Sequence, residues 1–181
     1  MKLGQVFQHA IHELNSQGIE DAFLEAEILL RHVTGYKRAE LFRDIELDME
    51  PDSIRSYDLC INQRIKGMPT AYLTGHKEFF GLDFLVTPDV LIPRPETELL
   101  VETALSLCRD NNYISVADIG TGSGIIAISL AFHLPDIHVC AIDISEKALQ
   151  IACENANWQG VSHRITFRPG NFLEPLDEAF D

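Results

Sequence analysis

The stretch Val116-Ala117-Asp118-Ile119-Gly120-Thr121-Gly122-Ser123-Gly124 constrains this chain more than any other. A short apolar run enters a turn with glycine at every second position, and an apolar helical pattern leaves it. Glycine lets the backbone turn tightly and come close to a ligand. Unpaired N–H groups at the start of the following helix favour an anion. Around this turn the pattern alternates. Strands are predicted over 114–118, 137–142 and 164–168, and helices over 124–132 and 145–159, the second with Ala148, Ile151, Ala152 and Ala156 facing inward. Such alternation predicts a parallel sheet with crossover helices. Ligands of open α/β sheets bind along the C-terminal ends of the strands.

The spacing of the glycines separates two cofactor classes. A dinucleotide fingerprint, GxGxxG, would need glycine at 125. This chain has Ile125, and its third glycine comes one position early. With Asp118 two residues before the first glycine, the pattern fits a nucleoside-methionine cofactor, whose carboxylate would be the anion at the turn. Asp143 closes the second predicted strand and can accept two hydrogen bonds from ribose hydroxyls. A plainer role for Asp143 or Ser145 is to cap the helix that follows. After the third strand, Gly170-Asn171-Phe172 reaches the same edge. Phe172 can lie against an adenine ring, and the Asn171 side-chain oxygen can accept from its amino group.

The first 67 residues carry helical stripes. Val6, Ile11 and Leu14 form one, stopped by Gly18, and Leu24, Ile28, Leu29 and Val33 form another, stopped by Gly35. Leu41 and Phe42 fall in a short third helix. Asp52 or Ser53 is the expected cap of a fourth, containing Ile54, Leu59 and Ile61. From Pro69 the texture becomes aromatic and β-prone, and residues 77–92 predict a hairpin with Gly81 in its turn. Pro93-Arg94-Pro95 reads as a stiff extended segment, with Thr97 capping a helix over 99–108. The expected division is a helical docking domain over 1–75, a hairpin linker over 76–92 and the start of the α/β domain over 93–181.

The net charge of the 181 residues is −14, and most of it lies after Phe80, where five basic residues face fifteen acidic ones. This surface repels phosphate backbones, so direct nucleic-acid binding is not expected. It serves solubility or a basic protein partner. No apolar run reaches the roughly 18 residues of a membrane helix, and 1–10 lacks the apolar core of a signal peptide. A cytoplasmic protein without membrane partners is therefore expected. Cys60, Cys108, Cys140 and Cys153 show no CxxC spacing, and no Cys or carboxylate completes a site with His9 and His12, so no metal is expected.

Three stretches resemble the protein-(glutamine-N5) methyltransferases of peptide chain release factors. These are the region from Gln63-Arg64 through 79–86, the segment LIPRPETELLV at 91–101, and DIGTGSG at 118–124. LIPRPETE is the most specific of them. The resemblance implies an α/β fold: an N-terminal helical bundle, a β-hairpin linker and a Rossmann-like domain dependent on S-adenosyl-L-methionine, here incomplete. It implies methyl transfer to the glutamine side-chain amide of the Gly-Gly-Gln motif of release factors, which would be the partners. Gly120, Thr121, Gly122, Ser123 and Gly124 would hold the methionine part, Asp143 the ribose, and Asn171 and Phe172 the adenine. Relatives commonly carry aspartate where Asn171 stands. Phe80 and Arg94 would face the substrate side. The family's substrate motif, Asn-Pro-Pro-Tyr, does not occur in these residues. It is expected beyond Asp181, so no catalytic residue is assigned and the chain alone is expected to be inactive. Methylation of a nucleic acid or a small amine, or cofactor binding without catalysis, are the alternatives. A nicotinamide enzyme is disfavoured by Ile125.

Overall fold

The computed structural model describes residues 1–181. They form two compact units, Met1–Thr74 and Gly75–Asp181.

The first unit is helical: α1 (Leu3–Ser16), α2 (Ala22–Thr34), α3 (Arg38–Arg43), α4 (Pro51–Ile65) and α5 (Thr70–Thr74). Positions three and four apart on a helix share a face. Val6, Phe7, Ala10 and Leu14 of α1 thus meet Ala26, Leu29 and Leu30 of α2 in one buried cluster with Leu41, Tyr57 and Ile61. The expected stop at Gly35 is present: the residue is left-handed, φ 73°, and its N–H donates to the Arg31 carbonyl at 2.8 Å. The fourth helix starts earlier than its predicted cap. Glu50 is the N-cap and Pro51 the first helical residue, because proline has its φ preset for that position and no N–H to lose there. Two polar groups tie the bundle. The Tyr57 hydroxyl donates to the Ala26 carbonyl at 3.0 Å. Glu25 binds Arg64 and accepts from the Thr70 hydroxyl at 2.8 Å. Burial works to raise the Glu25 carboxyl, but the Arg64 and Thr70 bonds outweigh it and hold the group below its usual value.

The second unit opens with a hairpin of β1 (His76–Phe79) and β2 (Leu82–Leu85). Both turn residues have positive φ, 51° at Phe80 and 74° at Gly81, the geometry whose twist suits a two-residue hairpin loop. Glycine adopts it freely, whereas Phe80 costs about 1 kcal/mol. The hairpin is shorter than the span read from the sequence. Pro88 cannot donate to a ladder, and the chain turns there, with the Val90 N–H donating to the Thr87 carbonyl at 3.1 Å. Phe79, Leu82 and Phe84 are buried in the core of this unit, so the hairpin is part of it.

Next come α6 (Glu96–Asn111), β3 (Ser115–Ile119), α7 (Ile125–His133), β4 (His138–Asp143), α8 (Glu146–Trp158) and β5 (Ile165–Pro169). Pro95, not Thr97, is the N-cap of α6; Thr97 lies inside the first turn, where Glu96 and Glu98 suit the helix dipole. The sheet order is β3-β4-β5, all parallel. Ile119 pairs with Ile142, and Asp143 with Pro169. β4 and β5 therefore end together, β3 ends one residue earlier, and Gly120, Ile144 and Gly170 emerge along one edge. No helix is long and apolar enough to cross a membrane.

Tyr57→Phe removes a buried hydrogen bond without changing the packing shape. It should lower stability by about 1 kcal/mol, read by urea unfolding, with the helical circular-dichroism spectrum unchanged.

Candidate functional site

The turn between β3 and α7 is pinned by three groups. From beneath, the Asp118 carboxylate accepts from the Thr121 hydroxyl at 2.7 Å and from the Ala127 N–H at 3.2 Å. Ala127 is the third residue of α7, so part of the anion expected at the helix start is the protein's own. From beside, the Ile142 carbonyl accepts from the N–H groups of Gly120 and Thr121 at 2.8 and 2.9 Å. Asp143 completes the hold: one carboxylate oxygen accepts from the Gly122 N–H and the other from the Ser145 N–H, both at 2.9 Å. Helix α8 is capped by the Ser145 hydroxyl, which accepts from the Ala148 N–H, so the cap is Ser145 and Asp143 orients the turn.

The three glycines divide their work. All are left-handed, with φ of 78°, 56° and 83°. A Cβ at Gly120 or Gly122 would meet nothing within 4 Å, whereas one at Gly124 would come within 2.8 Å of the Ile128 side chain and 3.0 Å of Ala152 Cβ. The first two keep backbone open to a ligand. Gly124 lets α7 and α8 approach each other.

At the strand ends lies a cleft of about 150 Å³ lined by Ile119, Gly120, Asp143, Ile144, Gly170, Asn171 and Phe172. Ile144 and Phe172 are 75% and 74% exposed, two large apolar side chains standing at the rim. Phe172 also holds an unusual left-handed φ of 50°. Phe172 thus joins a left-handed backbone to exposed apolar area beside the cleft. Asp143, which lines the cleft, uses two of its roughly four acceptor sites on backbone.

Of the residues singled out from sequence, Gly120, Asp143, Asn171 and Phe172 come together here. Thr121 and Ser123 are buried in the turn, the Thr121 hydroxyl being spent on Asp118. Phe80 and Arg94 are not among the lining residues. The Phe80 ring meets His133 edge-on, with centroids 5.3 Å apart, and its N–H donates to Glu98 Oε1 at 3.0 Å. Arg94 is exposed just before α6. Sequence reading missed Ile144, although an isoleucine between a strand-ending aspartate and a serine cap was a usable signal. It also missed the clamping role of Asp118.

Comparison with known proteins places this geometry. Residues 5–75 match the PrmC N-terminal domain, and residues 110–181 match a methyltransferase domain. The release factor glutamine methyltransferase of Moorella thermoacetica is 44% identical over 176 residues, 97% of this chain and 62% of that protein. Over most of its length the chain is similar to release factor glutamine methyltransferases. Those of Koribacter versatilis and Burkholderia pseudomallei are 42% and 47% identical, covering 98% and 74% of this chain and 62% and 47% of theirs. The chain thus spans about three fifths of the length of the Moorella and Koribacter relatives. The cofactor that goes with a methyltransferase domain of this kind is S-adenosylmethionine.

Burial pushes the Asp118 carboxyl above its ordinary value, against the Thr121 and Ala127 bonds, and the charge of Asp143 adds to the rise. A carboxyl raised on folding stabilises most when protonated, and that stability is lost as pH rises from the ordinary value of 3.8 through the raised one. Asp118→Asn keeps an acceptor for both partners and should not show this loss. Urea unfolding across that window checks it: parallel curves for variant and parent would remove the assignment.

Proposed function

We propose that the cleft captures S-adenosylmethionine, and that the protein transfers its methyl group to the glutamine side-chain amide of the Gly-Gly-Gln motif in peptide chain release factors. The observation that carries the cofactor half is the cleft itself, where the unspent acceptor sites of Asp143 stand between open glycine backbone and two exposed apolar walls. Gly120 and Gly122 take the methionine end, with Thr121, Ser123 and Gly124 shaping the turn from within. Asp143 takes the ribose hydroxyls. Ile144 and Phe172 enclose the adenine, whose amino group reaches the Asn171 oxygen. These residues fit the cofactor because each chemical part finds its counterpart: hydroxyls a carboxylate, a flat ring two apolar walls, the amino-acid end a backbone without side chains.

The acceptor half rests on the names of the relatives and on the LIPRPETE segment. Residues 1–75 are assigned to docking the release factor, and Phe80 and Arg94 to the acceptor side of the second unit. Bound in the cleft, the cofactor supplies an activated methyl group. An amide nitrogen is a weak nucleophile because its lone pair is delocalised. It must be held at about 3–3.5 Å in line with the methyl group, with its hydrogens accepted by fixed oxygens. Held by Gly120, Gly122, Asp143, Ile144 and Phe172, the cofactor would supply the methyl group, and the amide taking it would give up one proton to water. Asn-Pro-Pro-Tyr, the segment the family resemblance gives for those fixed oxygens, does not occur in the 181 residues. The proposal for these residues by themselves is therefore cofactor capture without turnover. The cytoplasm, where release factors act, is the matching compartment.

Labelled cofactor with release factor in one arm and DNA in the other tests the reading. The Moorella thermoacetica relative should label the release factor and leave DNA unlabelled, and the 181-residue chain should label neither. Turnover on glutamine by the chain would refute the inactivity. Asp143→Ala should weaken S-adenosylhomocysteine binding at least tenfold through lost ribose bonds, and unchanged affinity by calorimetry would remove Asp143 from the site.

A further inference from the structure

The side chain of Asn155, fully buried in the middle of α8, makes three hydrogen bonds in two directions. Its oxygen accepts from the Leu85 N–H at 2.7 Å, and its nitrogen donates to the Leu85 carbonyl at 3.0 Å. The same nitrogen donates to the Ser123 carbonyl at 2.9 Å. Three of the four hydrogen-bonding capacities of an amide are thus used. Toward Leu85 the amide pairs as a neighbouring strand would, donating to and accepting from one residue. Toward Ser123 it fixes the peptide plane that leads into Gly124 and the first turn of α7.

One turn further along, at the C-cap of α8, the Gln159 side chain donates to the Asp83 carbonyl at 2.7 Å. Residues two apart on a strand lie about 6.6 Å apart, and residues four apart on a helix about 6 Å. The two amides of α8 therefore match the two outward-facing rungs of β2 and cover its free edge, which an exposed strand otherwise offers to other chains. Covering the edge accounts for Gln159. It leaves the third bond of Asn155 unexplained.

We infer that Asn155 is a positioning residue that couples the hairpin to the glycine turn, so that order in the hairpin and capture of the cofactor stabilise each other. The inference rests on the cofactor reading given above. Asp118, Ile142 and Asp143 pin the turn from within the sheet, while Asn155 reaches it from α8 and ties it to an element that carries no cleft residue. A buried amide with every nearby partner satisfied has two outcomes when altered. An aspartate keeps the acceptor for the Leu85 N–H but sets an oxygen against both carbonyls. An alanine leaves all three backbone groups without partners. Coupling of this kind is reciprocal, so the ligand must act on the hairpin as the hairpin acts on the ligand.

The test compares three proteins, the parent chain, Asn155→Asp and Gln159→Ala, using S-adenosylhomocysteine as the probe. Calorimetry should show affinity falling at least tenfold in Asn155→Asp and less than twofold in Gln159→Ala, although both lose a bond to β2. Hydrogen exchange on the unaltered parent gives an independent reading that needs no variant to fold: the ligand should slow exchange of the Leu85 amide at least threefold. Parent binding with equal affinities in all three proteins, or an unprotected Leu85 amide under saturating ligand, would overturn the coupling. Failure of the parent to bind at all would instead overturn the assignment of the cleft.

Discussion

Three parallel strands pair in a register that brings their ends to one edge within a residue of each other, and the cleft depends on it. Because Ile119 lies opposite Ile142 and Asp143 opposite Pro169, the first residues after each strand leave the same edge, Gly120 one residue behind Ile144 and Gly170. Shifting any strand by one residue would exchange its faces. It would turn Asp143 away from the glycine backbone and move Ile144 off the rim. The apolar side chains of the strands and of α7 hold that register through burial. The chemistry at the edge is thus fixed by packing several residues away from it.

Carboxylates do much of the local fastening. Asp118 takes the Ala127 N–H, Asp143 those of Gly122 and Ser145, Glu98 that of Phe80, and Asp181 those of Ile114 and Ser115. Each replaces a partner that the backbone lacks at a turn, a helix start or a strand edge. Composition alone presents the acidity of this half as a matter of solubility or of a basic partner. Part of it is internal, spent on backbone groups that no strand or helix neighbour satisfies. Glu98 stands in the LIPRPETE segment and supports the strained Phe80, which links the most specific stretch of the sequence to the tip of the hairpin.

Much of this was legible in the sequence where the signal is local. The glycine spacing located the turn, the apolar run before Asp143 located the strand end, and Gly35 located a helix end, because each follows from backbone conformation or from periodicity. From β3 onward strand and helix limits differ by one residue from those read off the pattern, since pairing to a neighbour rather than hydropathy decides where a strand stops. The hairpin, by contrast, ends seven residues early, and α6 is three residues longer at each end. Thr97 looked like a cap, but Pro95, with φ already near the helical value, starts the helix first. Asn155 was silent, since an asparagine in a helical stretch ordinarily faces solvent, and its partners lie 70 and 32 residues away. Asp118 was visible as part of a motif, yet its clamp on Ala127 required α7 to be in place.

The close approach at Gly124 limits how this unit can change over generations. Its absent Cβ and the small Ala152 together set the distance between α7 and α8. A larger residue at either position would push the helices apart, and α8 also carries the amides that cover β2. Sequence drift at this contact would therefore be felt as a displaced hairpin. The two positions cannot trade volume: Gly124 is already at the lower limit of size, and its left-handed backbone and its approach to Ile128 disfavour any side chain there even beside a smaller residue at 152.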